Sequence, residues 1–158
     1  MIFTKFPTES RSIGADAREI ATEEAAPAVE AEHLLLALAR AELKHVHDVL
    51  VDAGLGYDDI RNALESEVEG NLEMVGVRVG ELDLRATPGK SRAPGWGQSA
   101  KLVLERSLKI ADARSDRRIT PPYILLGILA ATRGTVPRAL ARAGIDRAEL
   151  GNRVAAAL

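Results

Sequence analysis

The sequence contains no cysteine, which excludes disulfide bonds, thiolate metal sites and a cysteine nucleophile. Aromatic residues make up only 3% of its 158 residues. No apolar run approaches the roughly 20 residues that span a bilayer, and Met1 is not followed by the basic and apolar regions of a secretory signal. We therefore expect a cytoplasmic protein with no membrane partner. The remaining composition, 46% apolar and 28% charged, is typical of a globular domain.

The net charge of −2 conceals an uneven distribution along the chain. Residues 1–69 carry 15 acidic and 6 basic side chains, whereas residues 70–158 carry 8 acidic and 15 basic ones. The two halves thus have net charges of −9 and +7. Opposite charges on the two halves predict either mutual attraction or two solvated faces that can steer a charged partner.

The sequence repeats itself at a spacing of 90 residues. Residues 8–68 align without a gap on residues 98–158, and 10 of the 61 pairs are identical. Apolar and glycine positions dominate the matches, and these positions define helix faces and helix ends. Examples are Leu35 with Leu125 and Gly54 with Gly144. The sequence therefore predicts one structural unit written twice, joined by a linker at about 70–97 that contains six glycines and two prolines.

Each repeat is predicted to form four short helices, because its apolar residues recur at helical spacing. The expected bounds are 8–25, 31–41, 45–53 and 57–68, and then 98–114, 121–132, 135–143 and 147–158. The second helix of each repeat is apolar on most sides, which predicts a central position. Gly54 and Gly144 mark helix ends, while Pro121 and Asp146 suit helix starts.

Fourteen positions are predicted to form the core: Ile13, Ile20, Leu35, Leu38, Leu50, Ile60, Leu64, Val103, Ile110, Leu125, Ile128, Leu140, Leu150 and Val154. Within the linker, Val75, Val77 and Val79 alternate with other residues and allow a short extended segment or hairpin. We interpret Trp96, the only tryptophan, as an anchor that packs the end of the linker onto the second repeat.

Several of these residues resemble a known family. The run Glu32-His33-Leu34-Leu35-Leu36-Ala37-Leu38, followed by a Leu-x-x-x-Gly-Leu helix end at Leu50, is similar to the Clp N-terminal repeat domain, as are the opening around Phe6 and the segment 100–105. That domain recognises substrates and adaptors for the ClpA, ClpC and ClpB unfoldases. The resemblance covers the chain from Phe6 to Leu158 and implies an all-α, pseudo-twofold tandem of two four-helix motifs that binds polypeptides and is not an enzyme.

The ClpC branch of this family is implied to bind phosphorylated arginine. In each repeat a glutamate would contact the guanidinium group, and a helix start would receive the phosphate. Carried over by position, the resemblance assigns Glu32, Thr8 and Pro7 to ligand binding in the first repeat, while Pro122 and Gly97 stand at the matching positions of the second repeat. The resemblance implies no cofactor, no metal and no catalytic residue.

Two roles stay open for such a module. The unfoldases of the family continue into ATPase modules, and the phosphate-loop motif G-x-x-x-x-G-K-[ST] does not occur here. The chain is then either a recognition module from a larger protein that works with Clp protease components, or a free-standing decoy that competes with an unfoldase for substrates.

Other chemistry has weaker support in the sequence. His45 and His47 could suggest a metal site, but residues two apart on a helix point in different directions. His33 beside Glu32 is expected to be a packing or capping residue. The basic side chains of the second half make nucleic-acid binding a candidate function. The scarcity of aromatic residues and the negative total charge argue against it. These side chains are Lys90, Arg92, Lys101, Arg106, Lys109, Arg114, Arg117 and Arg118.

Overall fold

The structure is a computed structural model that describes residues 5–74 and 93–158. These residues form eight helices in two sets of four, which confirms the all-α fold class. The helices are α1 (Thr8–Glu23), α2 (Ala31–Arg40), α3 (Lys44–Asp52), α4 (Tyr57–Met74), α5 (Gln98–Ala113), α6 (Pro121–Leu129), α7 (Thr135–Arg142) and α8 (Arg147–Ala156). Two short strands, β1 (Ala28–Val29) and β2 (Gly95–Trp96), pair in parallel. No helix in the described ranges has the length and apolar character needed to cross a membrane.

Equivalent helices end in the same way in both repeats. Gly54 and Gly144 follow α3 and α7 with a φ of 77° each, a left-handed conformation that glycine adopts without steric cost. Ala25 and Ser115 follow α1 and α5 with φ values of 51° and 57°, and these two positions are also 90 residues apart. The repeat is thus present in the backbone as well as in the sequence. The carboxylate of Asp146 accepts two backbone N–H groups at the start of α8, as predicted.

The two repeats pack around a local two-fold axis. Each contact between a helix of the first repeat and a helix of the second has an equivalent contact with the repeats exchanged. The α1–α6 contact corresponds to α5–α2, the α3–α6 contact to α7–α2, and the α4–α7 contact to α8–α3. The central helices α2 and α6 also contact each other. Leu35 and Leu125 lie on these two helices and are both buried. Such reciprocal contacts are what a duplicated unit makes with its copy across a two-fold axis.

Twelve of the fourteen predicted core residues are buried, and the other two, Leu64 and Ile110, are half-buried against the core. Helix α4 differs from the prediction because it continues to Met74, so the first residues of the expected linker are helical. Gly70 does not interrupt it; a side chain there would meet the guanidinium group of Arg142. The predicted extended segment around Val75, Val77 and Val79 lies outside the described residues.

The opposite charges of the two repeats form ion pairs in the interface between them. The carboxylate of Glu67 on α4 lies 2.6 Å from Nε of Arg138 and 2.7 Å from Nε of Arg142, both on α7. At the equivalent α3–α8 contact, Asp52 lies 3.7 Å from Arg153. Each of these pairs joins an acidic residue of the first repeat to a basic residue of the second. The predicted attraction between the halves is therefore present in the packing.

Candidate functional site

An apolar groove with a volume of about 370 Å³ lies between α1 and α5. Three pairs of its lining residues are repeat equivalents, namely Phe6 with Trp96, Gly14 with Leu104 and Leu34 with Ile124. Equivalent residues meet in one cavity only where the two repeats face each other at the local axis, so the groove lies on that axis. We call it the axial groove. Leu34 and Ile124 are buried and form its floor.

Trp96 forms one wall of the axial groove. Its ring packs on α1 of the first repeat, where Gly14 leaves the space: a Cβ atom at Gly14 would lie 3.3 Å from the ring. Arg18 lies over the same ring with its Cζ atom 5.7 Å from the centroid, a cation–π arrangement. The sequence interpretation of Trp96 as an anchor on the second repeat is therefore corrected. Pairing of β2 with β1 carries the indole ring to the first repeat, and residues paired across such a distance give no local sequence signal.

The axial groove has a positive rim. Arg11 and Arg18 are its only ionisable lining groups within the described residues, and no acidic side chain lines it. Both guanidinium groups are on the exposed side of α1, and neither lies within 4 Å of a carboxylate in the described part of the chain. Arg11 makes only a long hydrogen bond, of 3.4 Å, to Oγ1 of Thr8. The groove thus combines an apolar floor with two cationic groups that are available to a partner.

Glu32, the predicted guanidinium ligand, lies on α2 and is half-buried. Burial raises its pKa above the ordinary value of 4.5, and the nearby charge of Glu30 adds to this effect. Glu32 lines a cavity that it shares with Gln98 and Ser99 at the start of α5. It does not line the axial groove. The first-repeat glutamate therefore lies beside the helix start of the second repeat.

Pro7 and Thr8, the other two predicted ligand residues, are at the start of α1, where Pro7 is the N-cap residue. This helix start is held against the segment before α6: the hydroxyl group of Ser10 donates a 2.6 Å hydrogen bond to the carbonyl oxygen of Ile119. Glu9, which directly follows Thr8, lines a cavity together with Pro122. The structure thus does not bring Pro7 and Thr8 into the cavity of Glu32, because each first helix begins beside the second helix of the other repeat.

The start of α5 already binds a carboxylate of the chain. Oε2 of Glu30 accepts a 3.1 Å hydrogen bond from the backbone N–H of Ser99 and a second one from its hydroxyl group. The hydroxyl oxygen of Ser99 in turn accepts a 2.8 Å bond from the N–H of Ala31. A Cβ atom at Gly97 would overlap the Glu30 carboxylate. The sequence prediction did not include Glu30, and its only local signal was its place before the start of α2.

His33 has the structural role expected from the sequence. It is buried, its Nδ1 accepts the N–H of Glu30 at 2.9 Å, and its Nε2 lies 3.0 Å from Oε2 of Glu24. Because Nδ1 accepts the backbone N–H, Nε2 carries the proton that is donated to Glu24. The hydrogen bond from His33, together with the charge of Arg61, holds the pKa of Glu24 below its ordinary value. In the second repeat, Tyr123 replaces His33 and donates to Asp116 at 2.9 Å.

The remaining candidate groups are on the surface. His45 is exposed and His47 is half-buried on α3, and the described ranges contain no cluster of three His, Asp or Glu side chains arranged to hold a metal. Arg114, Arg117 and Arg118 are exposed around the end of α5. Lys90 and Arg92, which the sequence analysis grouped with them, lie outside the described residues.

Comparison with known proteins gives structural matches only. No family model and no curated protein sequence matches the chain. The fold is similar to the N-terminal domain of the chaperone ClpD from Arabidopsis thaliana, with a TM-score of 0.70, 17% identity and coverage of 99% of this chain and 96% of that one. The N-terminal domain of Hsp104 from Candida albicans matches with a TM-score of 0.68, 17% identity and coverage of 95% and 89%.

The N-domain of ClpV from Vibrio cholerae is also similar, with a TM-score of 0.67, 21% identity and coverage of 99% of this chain and 86% of that one. A ClpV N-domain has also been solved in complex with a VipB peptide, and it matches with a TM-score of 0.67 and 20% identity. These matches extend over nearly the whole chain. The predicted resemblance is thus confirmed at the level of the fold: the chain folds as a Clp N-terminal domain.

Proposed function

We propose that this protein is a binding module that recognises a polypeptide segment in the axial groove and has no catalytic activity of its own. The observation that carries the proposal is the groove itself, an open apolar cavity on the axis between the repeats. Arg11 and Arg18 stand at its rim, and neither is paired with a carboxylate among the residues that the structure describes. Open apolar cavities with a few polar groups are typical ligand sites. The solved complex of a ClpV N-domain with a peptide supports a polypeptide as the ligand of this fold.

The chemistry of the groove favours one kind of segment. Leu34, Leu104 and Ile124 offer an apolar floor, which favours a segment with large apolar side chains. Arg11 and Arg18 favour carboxylates next to those apolar side chains, because charge-assisted bonds to guanidinium groups are strong and directional. The preferred ligand is therefore an apolar segment flanked by aspartate or glutamate.

Trp96 provides the test, because it is the only tryptophan of the chain and forms a wall of the groove. The intrinsic fluorescence of Trp96 is measured during titration with a short peptide of leucine and glutamate, and with a leucine and lysine peptide of the same pattern. The first peptide is expected to shift the emission and to saturate, whereas the second leaves the emission unchanged. An emission that responds equally to both peptides, or to neither, contradicts the proposal.

A pair of variants separates the groove from the rest of α1. Ala15 lines the groove and Ser12 does not, although both are exposed on α1. Ala15→Gln places a longer side chain in the groove and is expected to weaken peptide binding about tenfold, the equivalent of the lost burial of one large apolar side chain. Ser12→Gln, the matched control, leaves the affinity unchanged. Equal affinities of the two variants would place the binding site elsewhere.

Phosphoarginine is a second candidate ligand, at Glu32. The half-buried carboxylate of Glu32 favours it, since a guanidinium group is a good partner for a carboxylate. The bond between Glu30 and Ser99 weighs against it, because the start of α5 that would receive the phosphate already binds a carboxylate. Calorimetry with free phosphoarginine checks this ligand. Heat of binding that is lost in Glu32→Ala supports it, and the absence of heat at millimolar ligand removes it.

The cellular role that we infer is recognition of substrates or adaptors for a Clp unfoldase and protease system in the cytoplasm. A free-standing decoy that competes with the unfoldase is the alternative, and it uses the same groove. A degradation assay with a purified Clp system distinguishes the two roles. Added protein slows degradation of a substrate if it acts as a decoy, and accelerates it if it delivers the substrate.

A further inference from the structure

A second groove, lined by residues of α2 and α4, is acidic where the axial groove is basic. Leu36 forms its buried floor, and Leu64 and Val68 of α4 line its side. Val68 is 47% exposed, which makes it one of the most exposed large apolar residues in the described part of the chain. Leu64 and Val68 are four residues apart and therefore lie on one face of the helix. We call this surface the acidic groove.

The rim of the acidic groove carries four carboxylates and one guanidinium group, from Glu24, Glu32, Glu65, Glu69 and Arg61. The net charge of the rim is thus −3. Two of the carboxylates have internal partners: Glu24 lies 3.6 Å and Glu65 lies 3.9 Å from Arg61. Glu32 and Glu69 have no cationic group within 4 Å in the described ranges. The rim therefore holds an excess of negative charge next to exposed apolar surface.

The packing of the fold does not require these carboxylates. In the second repeat, the positions equivalent to Glu24, Glu32 and Glu65 hold Arg114, Pro122 and Ala155. The helices of the second repeat pack in the same way, although the acidic side chains are absent. The acidic groove is thus a property of one repeat, and its chemistry is that of a surface that meets another molecule.

We propose that the acidic groove is a second docking surface, which binds an amphipathic basic polypeptide segment. Apolar side chains of that segment would cover Leu64 and Val68, and its lysine or arginine side chains would meet Glu32, Glu65 and Glu69. Charge complementarity selects this occupant, because an acidic or neutral segment would leave the carboxylates unpaired. The proposal goes beyond the function of the axial groove, which has the opposite charge and lies at different residues.

Fluorescence anisotropy with a labelled leucine and lysine peptide tests the proposal, and the leucine and glutamate peptide serves as its counterpart. The double variant Glu65→Gln, Glu69→Gln removes two exposed carboxylates from the rim. The matched control Glu42→Gln, Asp48→Asn removes two exposed carboxylates elsewhere and changes the net charge equally. The rim variant is expected to weaken binding of the basic peptide about fivefold, and the control less than about twofold. High salt should remove the difference between them.

The outcomes of this test are independent of the axial groove, since Trp96 fluorescence reports on that groove alone. Equal weakening by the two double variants would overturn the proposal, because it would show attraction to the overall charge. Absence of binding by the basic peptide would also overturn it. So would a rim variant that weakens binding of the acidic peptide, the expected ligand of the axial groove, as much as it weakens binding of the basic one. Sedimentation that finds a dimer of the wild-type chain, dissociated by the rim variant, would assign the groove to a second copy and overturn it as well.

Discussion

The side chain of Glu30, before α2, and the start of α5 at Ser99 cap each other although they are 69 residues apart. The carboxylate of Glu30 accepts both the N–H and the hydroxyl group of Ser99, and that hydroxyl oxygen accepts the N–H of Ala31. One pair of side chains thereby satisfies donors at the starts of two helices. Because α2 and α5 belong to different repeats, this contact also joins the repeats.

We predict that Ser99→Ala lowers the free energy of unfolding by about 1–2 kcal/mol. The substitution removes a donor to the carboxylate of Glu30 and the acceptor for the N–H of Ala31, and both groups are partly buried. Urea denaturation provides the measurement. Ser12→Ala, at an exposed position of α1, is the control and should change stability by less than about 0.5 kcal/mol. Equal stability of the two variants would contradict this role of Ser99.

Most of the fold could be predicted from the sequence because its determinants are local or are repeated. Gly54 and Gly144 end equivalent helices with the same φ, and the apolar stripes that contain Leu35 and Leu125 identify the buried faces. The end of α4 was placed too early because helix termini depend on weak signals, and Gly70 carries the signal of a helix breaker without acting as one. A two-residue strand pair such as β1 with β2 leaves no periodic pattern.

The candidate site was less predictable. The motif singled out Glu32 as a candidate, but the residues that share its cavity, Gln98 and Ser99, belong to the other repeat. Alignment of the repeats identifies equivalent residues, and it does not tell which helix start packs beside which glutamate. The axial groove and the role of Trp96 arise in the same way, from the reciprocal packing of α1 and α5 about the axis. Such information exists only in the tertiary structure.

We predict that Ala25→Gly stabilises the protein by about 0.5–1 kcal/mol, because a left-handed backbone costs an L-residue more than the added flexibility of glycine costs the unfolded chain. Ala25 has a φ of 51° and is exposed, so no packing is lost. Thermal unfolding measures the gain. Ala113→Gly, in the right-handed helix α5, is the control and should lower the melting temperature. A lower melting temperature for Ala25→Gly as well would refute the prediction.

Gly127→Ala should destabilise the protein by about 1–3 kcal/mol, although alanine is the better helix former. A Cβ atom at Gly127 would lie 2.5 Å from Oγ of Ser107 and 2.5 Å from the carbonyl oxygen of Val103, so α5 and α6 would have to separate. The equivalent pair in the first repeat is Ala17 with Ala37. Compared with the first repeat, the second repeat thus has a smaller residue on α6, Gly127 in place of alanine, and a larger one on α5, Ser107 in place of alanine.

The same substitution at Gly151, on α8, is the control for Gly127→Ala. No atom lies within 4 Å of a Cβ at Gly151, so Gly151→Ala should stabilise the protein by about 0.5–1 kcal/mol. Chemical denaturation measures the free energy of unfolding of both variants, which should fall for Gly127→Ala and rise for Gly151→Ala. Adding Ser107→Ala to Gly127→Ala should restore only part of the loss, because the carbonyl oxygen of Val103 remains in contact. Stabilisation by both glycine substitutions would contradict the close α5–α6 packing.

Glu67→Gln should lower the free energy of unfolding by about 1–3 kcal/mol at neutral pH, because it removes the charge that Arg138 and Arg142 meet in the interface of α4 and α7. The side chain of Glu67 is 1% exposed. Burial by itself would raise its pKa, but the hydrogen bond from Arg138 and the charge of Arg142 outweigh burial and hold the pKa below 4.5. Urea denaturation over a range of pH values is the measurement.

The direction of the pH effect follows from the lowered pKa of Glu67. A carboxyl group whose pKa is lower in the folded state adds stability above its ordinary value of 4.5, and this contribution is lost as the pH falls through the folded-state value. The difference between wild type and Glu67→Gln should therefore be largest near neutral pH and shrink in acid. Glu65→Gln, at an exposed position of the same helix, should cost less than about 0.5 kcal/mol. A difference that stayed constant with pH would mean that Glu67 contributes through its shape alone.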